Sequence, residues 1–319
     1  MVFKRMLGAF GVGAPSVDTV LSTPRVLPGG ILTGEVRIKG GDFEAEIERV
    51  TLGLVARVEA EHAEGESSGV LEFFRGDVSG PFRLAKGEER TVPFQLPVPW
   101  ETPITEVDGQ PLHGMALGVR TELAIAKAVD KGDLDPVSIS PLPAQTRVLE
   151  AFGQLGCRFK GADLEVGRLH GVHQQLPFFQ EIEFYPPADF AGRVNEIELT
   201  FVADPGSVEI ILEADKRGGM FGSGGDSVGR FHVSHDDALR MDWAGEIHAW
   251  LSRLSQQHHY GGDHGGHSHY HHDDDHHHHR HGGPGMGTVV AAGAAGVVAG
   301  FVAAEAIDEV GDFFEGDED

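Results

Sequence analysis

The fold is decided by residues 26–38, which read Val26-Leu27-Pro28-Gly29-Gly30-Ile31-Leu32-Thr33-Gly34-Glu35-Val36-Arg37-Ile38. A Pro-Gly-Gly turn comes first, and apolar and polar side chains then alternate. Alternation with a period of two is typical of a β-strand that has one face in the core and the other in water. The stretch therefore predicts a turn followed by a half-buried strand.

Similar strand patterns recur on both sides of this stretch and beyond the middle of the chain. In the first half they predict strands at residues 47–61, 69–76 and 87–96. In the second half they predict strands at residues 157–166, 176–185, 194–203, 208–214 and 228–234. Polar or glycine-rich connections separate the segments, which is typical of an all-β protein. The glycines of residues 218–229 predict a hairpin tip, because a phosphate-binding loop would end in Lys-Ser/Thr and lead into a helix.

The segment around Leu54 predicts which face of a strand is buried. Alternate side chains of a strand point to opposite faces of the sheet. Four residues are therefore expected in the core, namely Leu52, Leu54, Ala56 and Val58. The intervening residues are expected to be more exposed, namely Gly53, Val55, Arg57 and Glu59.

Several of these segments resemble those of known proteins. Residues 91–99 and 118–125, together with the opening stretch, resemble strands of arrestin-like proteins in the expected order. Residues 16–21 and 126–135 resemble segments of the bacterial sporulation-control protein M family, and the similarity extends over about residues 1–257. This resemblance implies two arrestin-like β-sandwich domains and a regulatory, non-enzymatic role in development or stress. It implies no catalytic residues.

The composition restricts the class of partner. The chain has 319 residues, enough for two domains with separate cores. Its 25 Lys and Arg against 50 Asp and Glu give a net charge of -25, which argues against binding of nucleic acid or anionic lipid. The single Cys157 excludes an intramolecular disulfide and is consistent with a reducing cytoplasm. We expect it to be a buried structural thiol.

Composition shifts and breaks in the pattern predict four regions. Residues 1–137 hold an N-terminal helix and the first sandwich, and the pattern then breaks in a connection around residues 133–143. Residues 138–257 hold the second sandwich and its C-terminal helix, residues 258–281 a His/Asp-rich linker, and residues 282–319 a Gly/Ala-rich apolar segment with an acidic end. The last two regions form a low-complexity tail.

Three helices are predicted by apolar residues at helical spacing. The first lies near the N-terminus around Phe3 and Phe10, and it either packs on the first sandwich or touches a membrane. The second covers residues 144–155 and ends at Gly156, which suits a positive φ. The third follows Asp242 as its N-cap and carries an apolar stripe from Trp243 to Leu254.

The histidine run predicts weak metal binding. Imidazole suits zinc, nickel and copper, and a flexible chain can wrap a divalent ion without a preformed site. The candidate ligands are His267, His269, His271, His272, His276, His277, His278 and His279. We expect such binding to be adventitious, so no cofactor is predicted. A physiological role of the linker in metal binding is the alternative. A second cluster, formed by His232, His235, Asp236 and Asp237, matches no zinc motif and predicts a solvated turn.

The end of the chain leaves three interpretations open. Residues 282–304 carry no charge and are long enough to cross a bilayer, but glycine and alanine make their apolar character marginal. The segment therefore serves self-association or partner docking, spans a membrane, or is inert. In the acidic end, partner contact is expected at Ile307, Val310, Phe313 and Phe314.

Taken together, the sequence predicts a cytoplasmic regulatory scaffold that binds protein partners through sheet edges and the groove between domains. No nucleophile elbow, Rossmann fingerprint, Walker sequence or paired-cysteine metal site is present, so an enzyme is not expected. Two alternatives are a metal-responsive or metal-buffering protein that uses the histidine linker, and a membrane adaptor anchored through residues 282–304. Neither half shows an unusual polar cluster in its sequence, so no binding residue is predicted in the folded core.

Overall fold

The computed structural model describes residues 13–62, 65–216 and 228–256. They form seventeen strands and three helices. The strands are β1 (Ser16–Leu21), β2 (Arg25–Val26), β3 (Ile31–Lys39), β4 (Ala45–His62), β5 (Gly65–Ser79), β6 (Phe82–Leu84), β7 (Glu89–Pro97), β8 (Glu106–Val107), β9 (Gln110–Pro111), β10 (Leu117–Ile125), β11 (Lys131–Pro136), β12 (Ser138–Ile139), β13 (Arg158–Val166), β14 (Phe178–Tyr185), β15 (Val194–Ala203), β16 (Ser207–Lys216) and β17 (Gly229–Ser234). The helices are α1 (Pro143–Gln154), α2 (His235–Ala238) and α3 (Trp243–Gln256).

The opening stretch forms the predicted turn and strand. β3 begins at Ile31, and its side chains alternate between buried and more exposed positions. It lies between β1 and β7 in a three-stranded antiparallel sheet. Leu32 and Val36 of β3 share one hydrophobic core with Leu54 of β4 and Val119 of β10, which belong to a second sheet. The first half is therefore a sandwich of two sheets.

The turn before β3 requires a glycine. Gly29 has a φ of +72°, and a Cβ added to it would lie 2.3 Å from Cε2 of Trp100. The backbone of Gly29 also donates a hydrogen bond to the Pro99 carbonyl, at 3.3 Å. A side chain is therefore disfavoured here both by backbone conformation and by space.

The second sheet of the sandwich continues into the second half of the chain. Its strands run in the order β11-β10-β4-β13-β14-β15-β16-β17, and β5 and β6 also pair with β4. β4 pairs with β10 in antiparallel fashion and, farther along, with β13 in parallel fashion at Glu59 and Glu165. Strands from both sides of residue 137 thus share one sheet. The all-β class and the arrestin-like fold are confirmed, and the division into two sandwich domains stays a prediction.

Helices α1 and α3 pack on one face of the second-half sheet. The ring of Phe152 on α1 lies 4.3 Å from that of Phe184 on β14, measured between centroids. The ring of Trp243 on α3 lies 5.4 Å from that of Phe231 on β17. These side chains belong to the main hydrophobic core, which includes residues of both halves.

Both predicted helices of the second half are confirmed. α1 ends before Gly156, whose φ is +80° as the sequence predicts. Before α3, Oδ1 of Asp242 accepts a hydrogen bond from the backbone N–H of Gly245, at 3.0 Å, so Asp242 caps the helix. The predicted N-terminal helix lies outside the described residues, as does most of the glycine-rich connection between β16 and β17.

Two sequence predictions are wrong in the first half. Leu54 and its alternate neighbours are buried as expected, but Val55 is also fully buried, because it packs with Val70, Ala116 and Leu134 on the outer face of the sheet. Residues 133–136, expected to belong to a connection, lie in strand β11 instead. β11 is an edge strand, and the charged residues that hid it from the pattern are typical of such strands.

Candidate functional site

The face of the second-half sheet that points away from the helices carries many carboxylates. On β14, Ile182 and Phe184 belong to the main core, so the alternate residues Glu181 and Glu183 point to the opposite face. The same alternation places acidic residues on this face of the neighbouring strands. We call the set the carboxylate face, and it comprises Glu59, Asp163, Glu165, Glu181, Glu183, Glu196, Glu198, Glu209 and Glu213.

Strand register brings these acidic residues together. Asp163 on β13 is paired directly with Glu181 on β14. Glu198 on β15 is paired with Glu183 on one side and with Glu213 of β16 on the other. Glu183, Glu198 and Glu213 thus form a straight row across β14, β15 and β16. Like charges in directly opposed positions destabilise a sheet unless they are paired with cations or protonated.

Two cations and one histidine of the described residues lie within ion-pair distance of carboxylates on this face. The ammonium group of Lys160 lies 2.6 Å from Glu196 and 3.3 Å from Glu183. Glu209 receives Arg230 at 3.8 Å and the imidazole of His232 at 2.8 Å. These contacts involve carboxylates on β14, β15 and β16. They leave the pair Asp163 and Glu181 without an ion pair to a cation among the described residues.

Burial and charge repulsion shift the pKa values of the pair upward. Burial, followed by the charges of Glu198 and Asp163, raises the pKa of Glu181 to about 9. Burial, followed by the charges of Glu183 and Glu59, raises the pKa of Asp163 to about 7. Burial likewise raises the pKa of Glu213. Both upward shifts favour the protonated forms of these carboxyl groups relative to exposed Asp and Glu.

Neither a cluster of metal-ligating side chains nor a hydrogen-bond donor is found at the buried Oδ1 of Asp163 in the part of the chain that the structure describes. In residues 13–62, 65–216 and 228–256, no three His, Cys, Asp or Glu side chains converge as a metal site would require. Within the same residues, the buried Oδ1 of Asp163 has no hydrogen-bond partner. A protonated carboxyl group can donate a hydrogen bond, whereas two carboxylates in contact cannot.

Polar side chains also connect the two halves of the chain on the other side of β14. The Gln180 side chain donates to the Ile104 carbonyl at 2.7 Å and accepts from the Ile104 N–H at 3.0 Å. The Glu101 carboxylate accepts the backbone N–H groups of Gln175 and Leu176, each at 2.8 Å. We call these contacts the junction clamp. They fix the segment after β7 to the second-half sheet.

The predicted site residues fall into two groups. The candidate metal ligands between His267 and His279, and the candidate partner residues Ile307, Val310, Phe313 and Phe314, lie outside the described residues, as does segment 282–304. Among the helices that the structure describes, none is long and apolar enough to span a membrane. The predicted zinc, nickel or copper binding and the predicted tail contacts stay predictions.

The residues around His232, predicted to form a solvated turn, lie at the end of β17 and in helix α2 instead. The imidazole of His232 contacts Glu209, whereas that of His235 lies 2.8 Å from the Asp204 carbonyl. Asp236 and Asp237 belong to the short helix α2. Cys157 is partly buried, and burial raises its pKa to about 11, which disfavours the reactive thiolate.

Neither half shows the carboxylate face in its sequence, because strand pairing assembles it and no single segment contains it. A signal was nevertheless present, because Glu181-Ile182-Glu183 and Glu196-Ile197-Glu198 both alternate with a period of two in neighbouring predicted strands. Since both segments bury their isoleucines, their glutamates had to share one face.

Comparisons with known proteins agree with the resemblance found in the sequence. A family model described as SpoOM protein matches residues 3–218. The sporulation-control protein spo0M of Bacillus subtilis (strain 168) is 34% identical over 218 residues, which cover 67% of this chain and 81% of that protein. The crystal structure of Spo0M from Bacillus subtilis matches with a TM-score of 0.66 and 28% identity, covering 76% of this chain and 100% of that chain. The whole carboxylate face lies within residues 3–218.

Proposed function

Because this chain belongs to the SpoOM protein family, we propose that it acts in the control of sporulation as a non-enzymatic regulator in the cytoplasm. The family match carries the proposal, since the curated relative is named as a sporulation-control protein. The match covers residues 3–218, which include strands β1 to β16, and excludes the His/Asp-rich and apolar segments. We therefore assign the regulatory activity to residues 3–218.

Contact with other proteins is the mode of action that the described surface supports best. Strands β7 and β17 end their sheets, each pairing with one neighbouring strand, and such edges can accept a strand from a partner. The carboxylate face adds a concentration of negative charge, which favours a partner segment rich in Lys and Arg. The junction clamp stabilises the relative position of the two halves, so both surfaces are presented by one framework.

Genetic complementation in the native host tests the proposed role. The gene is deleted, and spore yield is compared after return of the full chain or of residues 1–257. We expect deletion to change spore yield and both versions to restore it. Unchanged spore yield after deletion would contradict the sporulation role. Restoration by the full chain alone would show that the folded part does not suffice.

A further inference from the structure

The carboxylate face contains opposed acidic residues where strands must stay paired. Asp163 is opposite Glu181 between β13 and β14, and Glu59 is opposite Glu165 between β4 and β13. The second pair is the register contact through which the sheets of the two halves join. β13 thus has carboxylates facing carboxylates on both of its neighbours.

The ion pairs described above for this face go to carboxylates other than Asp163 and Glu181. Lys160 is on β13 but contacts Glu183 and Glu196, toward β15. Arg230 and His232 lie on β17 and contact Glu209. Because Oδ1 of Asp163 is also inaccessible to solvent, water does not solvate it as it would an exposed carboxylate.

We propose that the carboxylate face is a proton-dependent element that couples pH to the attachment of β13 in the sheet. With the pair Asp163 and Glu181 holding at least one proton, β13 stays paired to β14 and to β4. Loss of protons places opposed negative charges along β13 and weakens its pairing. Because β13 links the two halves through β4, pH then controls how firmly the halves are joined. This inference goes beyond the proposed function and does not depend on it.

All charged groups that face the pair enter this balance, from each strand and from the loop that covers one end of the face. The neighbouring strands contribute Arg57 and Glu59 (β4), Lys160 and Glu165 (β13), Glu183 (β14), Glu196 and Glu198 (β15), Glu209 and Glu213 (β16), and Arg230 and His232 (β17). The loop between β13 and β14 contributes Arg168, His170 and His173. The acidic residues in this set outnumber its Lys and Arg side chains, so these fixed charges favour a negative field at the pair.

The direction of the pH effect follows from the upward pKa shifts. A carboxyl group whose pKa is higher in the folded state binds protons on folding, so it stabilises the fold at low pH. This contribution is complete below the ordinary pKa of the group and is lost as pH rises through the folded value. For Asp163 that value is about 7, and for Glu181 it is about 9. The pair therefore loses its stabilising contribution between mildly acidic and mildly alkaline pH.

Urea unfolding of the full-length protein at about pH 6.5 and about pH 8.5 tests the proposal. In the wild type, the unfolding equilibrium constant is expected to rise at least about tenfold over this range. Glu181→Gln keeps the shape of the protonated side chain but cannot ionise. Its unfolding equilibrium constant is therefore expected to rise by about fourfold or less over the same range. Glu46→Gln is the matched control, because Glu46 lies on β4 with its side chain 71% exposed, and it should keep the wild-type rise.

Hydrogen exchange locates the effect in the wild-type chain. Exchange rates of backbone amides in residues 158–166 and 178–185, corrected for the intrinsic pH dependence, should increase at the higher pH more than those of β3. Equal changes in all strands would contradict a local loosening of β13.

Two outcomes of the unfolding experiment would overturn the proposal. One is a wild-type equilibrium constant that changes less than about twofold over the pH range. The other is a Glu181→Gln variant that keeps the full wild-type rise. If Glu181→Gln does not fold, Glu181→Met takes its place, because it also removes the ionisable group of Glu181 at similar side-chain length, and the same criteria apply.

Discussion

Asp163 and Glu181 occupy directly opposed positions on two adjacent antiparallel strands, and both side chains are largely buried. A sheet seldom places two carboxylates in this arrangement, because their repulsion opposes strand pairing. Here the raised pKa values show how the arrangement is tolerated, since one proton removes one of the two charges. The pairing belongs to the carboxylate face, which lies within the range matched by the family model.

Lys160 should stabilise the carboxylate face more than an ordinary surface lysine stabilises its surroundings. Its ammonium group lies between Glu183 and Glu196 and is only partly exposed. Lys160→Met is expected to lower the free energy of unfolding by about 1 kcal/mol near pH 8. Urea denaturation measures the change. The matched control is Lys39→Met, because Lys39 is 67% exposed and lies 3.8 Å from one carboxylate; equal losses in both variants would contradict a special role for Lys160.

Alanine substitutions at Gly29 and Gly87 distinguish the free-energy cost of backbone strain from that of a steric clash. Both have positive φ, but an added Cβ meets the Trp100 ring at Gly29 and nothing within 4 Å at Gly87. Gly87→Ala should cost about 1 kcal/mol from backbone strain alone. Gly29→Ala should cost at least about 2 kcal/mol, because Trp100 must also move. Thermal melting of the two variants checks the order, and equal melting temperatures would show that Trp100 does not constrain the turn.

Gln180 should be required for the junction clamp. Its buried amide pairs with both the N–H and the carbonyl of Ile104. Gln180→Leu leaves those two backbone groups without their partner and should cost about 2–5 kcal/mol of unfolding free energy. Gln95 is exposed on β7 and lies outside the clamp, so Gln95→Leu is the control and should remain within about 0.5 kcal/mol of the wild type. Denaturant unfolding measures both variants, and a neutral Gln180→Leu would refute the clamp.

Leu54 tests the core of the first sandwich. Its side chain is fully buried in the main hydrophobic core. Leu54→Ala should cost about 2–5 kcal/mol, and Leu54→Asp should cost more because it also buries a carboxylate. Val129→Ala is the control, since Val129 is 56% exposed. An unchanged melting temperature for Leu54→Asp would show that the buried face has been assigned wrongly.

Much of the fold could be predicted from local sequence patterns. The turn at Gly29 and the strand from Ile31 follow from alternation and turn chemistry, and the helix that ends before Gly156 follows from apolar spacing and a glycine cap. The strand at Lys131–Pro136 was missed, because an edge strand has few apolar residues to mark it. Val55 was expected to be exposed but is buried, because it packs against residues distant in sequence.

The candidate site was harder to predict from the sequence than the fold. Each strand of the carboxylate face shows an ordinary alternation of acidic and apolar residues, as in Glu196-Ile197-Glu198. The concentration of charge arises only when register places Glu198 between Glu183 and Glu213. Register is set by long-range pairing, so the sequence predicted the strands without predicting their common acidic surface.

A cross-linked pull-down from the native host tests most directly whether the folded part recognises protein partners. The full chain is compared with a version that ends at Gln257, so the two versions differ only in residues 258–319. We predict that both versions recover the same partners. Partners recovered only with the full chain would contradict this account, because recognition would then depend on residues 258–319.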